Sequence, residues 1–408
     1  MKSFIYKIKD DSGKTLWGVL EAADKKDLKR QLRHADFYFI AAYPCDKNKV
    51  FQKKVKLDDL LMFTHRLSSL IGAGLPILNA MHILWRQTEN RTLQLVISHV
   101  RLKLEEGKKI SECFDAFPNI FPSIYRALIR VAEKTGTLVS TLEKLYAYLV
   151  YQKNIITRTR KATIYPLFVI GFAFVVLIGL FAWVVPVFQK ILLRLNVELP
   201  IITRIILNIS SVLKIPFKSF LSFSLFSLSA IIVGCIVYII VHALKKNETF
   251  LNAFDFYKLK LPILGGILYM ISISRFVRSL SILLGSGLPV VESFEVAKVT
   301  AVNRRIGNNI EEVKKSVEQG YSLYESFRDI KIFPVLLVEM VGVGETTGSI
   351  TATFDNLANH FDEEVEFKIS SLLTLMEPLL VIFVGIIVIV ILLAIYMPIF
   401  SMWRSLAG

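Results

Sequence analysis

The chain has 408 residues, of which 53% are apolar, 12% aromatic and 20% charged, and its formal charge is +15. A mean hydropathy of +0.52 beside that many charges excludes a disordered chain and one built only of membrane spans. Three scattered cysteines, Cys45, Cys113 and Cys235, exclude a disulfide framework or a C-x-x-C metal clip.

From the amino end, residues 4–9 alternate as a strand, 10–13 read as a turn, and 15–21 resume as a strand. Asp24 caps a helix expected through His34, and 37–42 read as a third strand. Residues 1–45 are thus expected to be a small α+β module, with a basic linker at 46–56 (Lys47, Lys49, Lys53, Lys54, Lys56). The first seven residues carry charges too closely spaced for a cleavable signal peptide. In 57–161 the periodicity predicts six helices, at 57–71, 76–88, 91–106, 110–114, 122–134 and 138–160, with Pro76 and Pro122 at first helical positions. Three stretches then lack Asp, Glu, Lys and Arg: 162–189, 219–244 and 378–403. Twenty-six helical residues reach roughly 39 Å, ample for a hydrocarbon core of about 30 Å. Between the first two, the connection 190–218 carries isoleucines at helical spacing and is expected to lie along the outer membrane surface. Residues 245–374 predict a second helical set at 273–284, 289–300, 303–318, 323–327, 334–343 and 350–368. The last span falls within 375–403, and 404–408 form an outer tail.

The chain repeats itself at a spacing of 213, and of 212 after a one-residue deletion. Gly72-Ala73-Gly74-Leu75-Pro76 aligns with Gly285-Ser286-Gly287-Leu288-Pro289, Phe63 with Phe276, Gly107 with Gly320 and Phe114 with Phe327. Beyond the deletion, Phe121-Pro122 meets Phe333-Pro334, Glu133-Lys134-Thr135-Gly136 meets Glu345-Thr346-Thr347-Gly348, and Pro166 meets Pro378. Two copies of one domain-then-span order on the same membrane side require a single return between them. The unmatched stretch 219–244 is that return. The expected fold is therefore mainly α: a polytopic membrane protein with two duplicated six-helix cytoplasmic bundles, three transmembrane helices and a small N-terminal α+β module.

Charge is distributed unevenly. Residues 1–163 carry 29 Lys+Arg against 16 Asp+Glu, whereas 244–374 carry 14 against 16. The basic segment wants an anionic neighbour, either lipid or an acidic protein face, and places the N-terminus in the cytoplasm. Nucleic acid is disfavoured, because the basic residues are dispersed without aromatic interleaving. The six histidines (His34, His65, His82, His99, His242, His360) form no metal-binding pair, and no nucleophile motif occurs. Gly342-Val343-Gly344-Glu345-Thr346-Thr347-Gly348 lacks the lysine of a phosphate loop, and Glu345 would repel an anion. No catalytic, cofactor or metal residue is predicted. Gly74, Pro76, Gly287 and Pro289 read as repeated helix–helix turns. Glu133, Thr135 and Gly136, with Glu345, Thr347 and Gly348, read as a demanding turn between the fifth and sixth helices. Their two carboxylates, expected to face solvent, are candidates for docking a partner or holding a cation at a subunit contact.

These features together resemble the type II secretion F / type IV pilus platform family. The duplicated Gly-x-Gly-Leu-Pro and Glu-x-Thr-Gly elements carry the likeness. So do Lys161-Ala162-Thr163-Ile164-Tyr165-Pro166 at the entrance of the first span, Val184-Val185-Pro186-Val187-Phe188 at its exit, Met376-Glu377-Pro378 at the entrance of the last, and the Gly18-Val19-Leu20-Glu21-Ala22 strand. The resemblance implies an inner-membrane platform without catalysis or cofactor. It would work with a cytoplasmic secretion ATPase, pilins or pseudopilins and other platform proteins, as a homo-oligomer. The alternative is a transporter or channel with duplicated cytoplasmic domains. It is disfavoured because the spans lack charged residues for a substrate path, Glu377 being the nearest.

Overall fold

The computed structural model describes residues 2–11, 13–32, 38–45, 55–179, 255–261 and 264–407. Its contacts divide the chain into one unit of residues 1–157 and 268–364 and another of 158–267 and 365–408.

The first unit begins with an antiparallel sheet in which β1 (Lys2–Lys9) lies between β2 (Thr15–Ala22) and β3 (Tyr38–Pro44), with α1 (Lys25–Leu32) against β2 and β3. Phe4, Tyr6 and Ile8 of β1 are buried in the period of two that a half-covered strand requires. Tyr6 stands opposite Gly18, where a Cβ would come within 2.2 Å of the tyrosine ring; only glycine fits there. Asp10 holds the predicted turn by accepting from the Lys14 N–H at 2.8 Å, and Asp24 caps α1 by accepting from the Asp27 N–H at 2.7 Å.

Helices α2 (Leu57–Gly72), α3 (Ile77–Gln87), α4 (Arg91–Glu105), α5 (Ile110–Asp115), α6 (Ser123–Thr135) and α7 (Leu138–Gly179) make the first copy. The second has α8 (Leu264–Leu284), α9 (Val290–Ala297) with a 3-10 turn at Lys298–Thr300, α10 (Arg304–Glu318), α11 (Leu323–Arg328), α12 (Val335–Thr346) and α13 (Ile350–Ala407). The aromatic residues matched between copies are the core of each. Phe114 stacks on Phe121 at 4.2 Å with Phe63 and Tyr125 around them, and Phe327 meets Phe333 at 4.8 Å with Phe276 and Phe294. Each buried ring contributes about 1.5–3 kcal/mol from apolar burial; Phe63/Phe276, Phe114/Phe327 and Phe121/Phe333 are the same in both copies, while Tyr125 is matched by Leu337 and Phe294 by Met81. Pro76, Pro122, Pro289 and Pro334 sit one residue earlier than expected, at N-cap positions with extended ψ of 142–161°.

Two expected breaks are absent. Helices predicted at 138–160 and 162–189 form one helix to Gly179, and those at 350–368 and 375–403 form one helix from Ile350 to Ala407. Pro166 and Pro378 lie inside them; each removes one main-chain donor, a local loss that the rest of the helix tolerates. Among the described residues three helices are long and apolar enough to cross a membrane: α7, α8 and α13. Only 6% of the apolar window is buried in α7 and in α13, whereas 61% is buried in α8. Helix α8 also carries Arg275 and Arg278, and it lies in the core of the second copy. The predicted stretch 219–244, the connection 190–218, most of the basic linker and Cys235 lie outside the described residues. In the second unit, exposed Leu167, Phe168 and Phe172 on α7 and Val381, Ile382 and Trp403 on α13 present apolar faces, and Arg158 pairs with Glu366 at 2.6 Å.

Candidate functional site

The Glu-x-Thr-Gly element is built twice with the same geometry. Helix α6 ends at Gly136 and α12 just before Gly348, and these glycines adopt φ of 72° and 67°, the left-handed turn that side chains resist. The Thr137 N–H then reaches the Ala132 carbonyl at 3.1 Å, and the Ser349 N–H reaches the Gly344 carbonyl at 2.8 Å. Thr135 and Thr347 each donate back one turn and touch the next hydroxyl, Thr137 or Ser349, at 2.6 Å.

The glutamates do not project into solvent. Both are half-buried, and each carboxylate crosses to the start of the neighbouring short helix. Glu345 accepts from the Leu323 N–H at 2.7 Å and from the Tyr324 N–H at 2.9 Å. Ser322 and Glu325 complete a capping box, so every orphan donor at the start of α11 is satisfied. Glu133 accepts from the Ile110 N–H at 2.8 Å and from the Ser111 hydroxyl, on a helix whose own cap residue, Lys109, offers no side-chain acceptor. The expectation of solvent-facing carboxylates is thus corrected: a negative charge at a helix start replaces water for donors that would otherwise be unpaired. Over the second of these corners lies an open groove of about 630 Å³ between Tyr324 and the outer residues Glu339, Gly342, Val343 and Thr346 of α12. Among the described residues no group of three or more His, Cys, Asp or Glu could hold a metal ion.

The other predicted positions lie apart from these corners. Gly74 and Gly287 share φ of 85°, and Leu75 and Leu288 close the same turn onto Leu70 and Leu283 at 3.1 Å. Tyr165 and Pro166 on α7 and Glu377 and Pro378 on α13 are helical, and Tyr165, Glu377 and Pro378 are exposed.

Two clusters escaped the sequence reading. The first seats the N-terminal sheet on α3 and α4. Gln94 accepts from the Trp17 N–H at 3.0 Å and donates to the Trp85 carbonyl at 3.0 Å, while the Trp85 indole donates to the Trp17 carbonyl at 2.7 Å. Arg91 covers the Trp17 ring at 3.6 Å, Arg86 pairs with Asp10 at 3.2 Å, and Tyr6 reaches Ser98 at 3.4 Å. Burial raises the Tyr6 pKa, keeping the phenol neutral. The matched positions of the second copy are Lys298 for Trp85, Gly307 for Gln94, Glu311 for Ser98, Lys314 for Arg101 and Glu295 for His82. There they form an ion network: Lys298 holds Glu295 at 2.6 Å and Glu311 at 2.8 Å, and Lys314 holds Glu295 at 2.5 Å and Glu311 at 3.1 Å. Non-matching residues between otherwise matching copies were the available signal. The second cluster ties α7 to α8 and α13. Arg278 donates to Asp362 (2.9 Å from Nε) and to Asn359 at 2.8 Å, Ser274 donates to Asp362 at 2.6 Å, and Tyr151 meets Ser274. Burial pushes the Asp362 carboxyl up, and Arg278 and Ser274 oppose it. No spacing rule picks out this set, because its members come from three helices.

The family described as type II secretion system (T2SS), protein F, matches residues 63–186 and 276–398, one segment in each copy. The chain is 30% identical over 417 residues to the type IV pilus assembly protein PilC of Thermus thermophilus, with 100% of both chains covered. It is 29% identical to a Pseudomonas aeruginosa protein of the same description, over 86% of this chain and 91% of the relative. It is 28% identical to the type II secretion system protein F of Pseudomonas aeruginosa, over 98% and 99%.

Proposed function

The chain belongs to the type II secretion system protein F family, and from that premise we propose that it is the inner-membrane platform of a secretion or type IV pilus machine. In this reading it has no catalysis of its own. It couples a cytoplasmic assembly ATPase to the addition of pilins or pseudopilins, beside other platform proteins and as a homo-oligomer. The observation that carries the reading is the end-to-end match to proteins named for pilus assembly and type II secretion, across both copies of the repeat. The nearly unburied apolar faces of α7 and α13 suit a lipid environment. Arg158, Arg160 and Lys161 on α7 suit anionic head groups. Both helical copies and the N-terminus are assigned to the cytoplasm and the C-terminus to the outer side. The transporter alternative gains nothing from the structure described above.

Cross-linking in the source cell followed by purification of the chain tests the proposal. The assembly ATPase and a pilin-class protein are the expected partners, and loss of the chain should abolish filaments or secretion. Recovery of a substrate-binding or transport ATPase instead would favour the transporter. Cysteines near Asn196 and Gly408 should react with an external thiol reagent in intact cells, while one near Asn303 should not.

A further inference from the structure

The two copies share a scaffold yet differ in charge. Residues 57–161 carry 15 Lys+Arg against 9 Asp+Glu, and the matched residues 270–373 carry 10 against 14, a difference of ten charges. Five positions at one place, the corner where Glu133 or Glu345 clasps the short helix, shift the balance by five charges, and Asp115 against Arg328 takes back two. The bond from Glu133 to the Ile110 N–H brings Lys108 and Lys109, which precede α5, beside the end of α6, which carries Arg130 and Lys134. The matched residues are Tyr321, Ser322, Gly342 and Thr346, and Ala127 is replaced by Glu339. The local acids Glu112 and Glu133 recur as Glu325 and Glu345 and cancel in the comparison, whereas Asp115 is matched by Arg328. All four basic side chains are exposed. Arg130 is paired with Asp115 at 2.7 Å, and among the described residues Lys108, Lys109 and Lys134 make no ion pair.

We propose that the Lys108–Lys109–Lys134 corner of the first copy is the docking surface for an acidic face of the assembly ATPase. This rests on the platform reading above and adds the surface to it. Exposed lysines left without partners steer an acidic partner from a distance and can stay at the hydrated rim of the contact. The second copy, apolar and acidic at the same corner, would repel that partner. Arg158, Arg160 and Lys161 form a separate basic set on α7, so lipid attraction does not require this corner.

The test uses the full chain in phosphatidylcholine nanodiscs with the purified assembly ATPase as probe. Affinity should fall with salt for the wild type, since exposed pairs are screened over about 10 Å at 0.1 M. The triple variant Lys108→Glu/Lys109→Glu/Lys134→Glu should bind about tenfold more weakly and with a shallower salt dependence. Reversing three exposed lysines of the N-terminal module, Lys14, Lys25 and Lys26, should change affinity by less than about twofold. Should the reversal unfold the corner, the Lys→Gln triple, which adds no acid beside Glu112 and Glu133, reads the same loss at smaller amplitude. Wild-type affinity in the triple variants, or an equal loss in the module control, overturns the corner and leaves the ATPase partnership standing. A defect seen only in phosphatidylglycerol nanodiscs assigns the lysines to lipid and also overturns it. Failure of the wild type to bind the ATPase at all removes the platform reading first, and this proposal with it.

Discussion

Replacing Glu345 by alanine isolates the contribution of one carboxylate to one helix. It leaves the N–H groups of Leu323 and Tyr324, bonded at 2.7 and 2.9 Å, without their acceptor at a half-buried position. A hydrogen bond to a charged group is worth about 1.5–3 kcal/mol, and partial access of water puts this pair at the low end, about 3 kcal/mol together. The remaining capping box of Ser322 and Glu325 still anchors α11, so the cost falls on local opening, and the amides of 322–328 should exchange about 100-fold faster. Glu345→Gln retains one acceptor oxygen and should lose about half of that free energy, which is roughly tenfold in exchange. Hydrogen exchange read by mass spectrometry on the full chain provides the assay, with residues 110–115 as the internal reference. Glu133→Ala, on a helix whose cap residue offers no side-chain acceptor, should expose 110–115 in the same way. Unchanged protection of 322–328 in Glu345→Ala would show that the carboxylate is a bystander and refute the capping role.

Gln94→Leu removes the acceptor of the Trp17 N–H and should cost about 1–3 kcal/mol, seen as faster exchange or proteolysis of β2 while α8–α12 stay protected. Arg278→Met strands the Asp362 carboxylate and should lower thermal stability by about 3–5 kcal/mol; Arg278→Met/Asp362→Leu should recover most of it, and a double variant no better than the single would deny the pairing. Hydrogen bonds from Lys298 first, then Lys314, hold Glu295 and Glu311 below the usual carboxylate range, and bonds to Glu295 first hold Lys314 up at about 12. Depressed carboxylates stabilise the fold above their unfolded value of about 4.3 and cease to as pH falls through the lower folded value, while the raised lysine stabilises fully below about 10.4 and loses that contribution as pH rises through its folded value of about 12. The melting difference between wild type and Lys314→Met should therefore be largest from about pH 5 to 10 and shrink on both sides; a difference undiminished near pH 3 would contradict the network.

The repeat made much of the architecture legible. Most helix positions, the glycine turns and the paired Phe cores follow from local spacing and fall within a residue or two of their predicted places, whereas α8 begins at Leu264, nine residues before the predicted 273, and α12 runs to Thr346, three past the predicted 343. Breaks at residues 161 and 369–374 were misjudged because a change from polar to apolar surface looks like a boundary, although the backbone hydrogen bonding is indifferent to it. The glutamates were misjudged for a different reason. A polar residue beside Thr-Gly reads as exposed turn, and nothing local reveals that residues 110 and 323 lie within reach. The seat of Trp17 was hidden for the same reason, since Gln94 lies 77 positions away.

That seat makes the two halves of the chain different parts. Suppose the order were exchanged, so that the sheet met the second half. The Trp17 amide would then face Gly307, which has no side-chain acceptor, and its carbonyl would face Lys298, drawn away from Glu295 and Glu311. An ammonium buried under a strand and drawn from its carboxylates costs several kcal/mol, so the second half cannot take the first one's place under the sheet. The order of the two halves along the chain is in this sense set by the chemistry beneath one tryptophan.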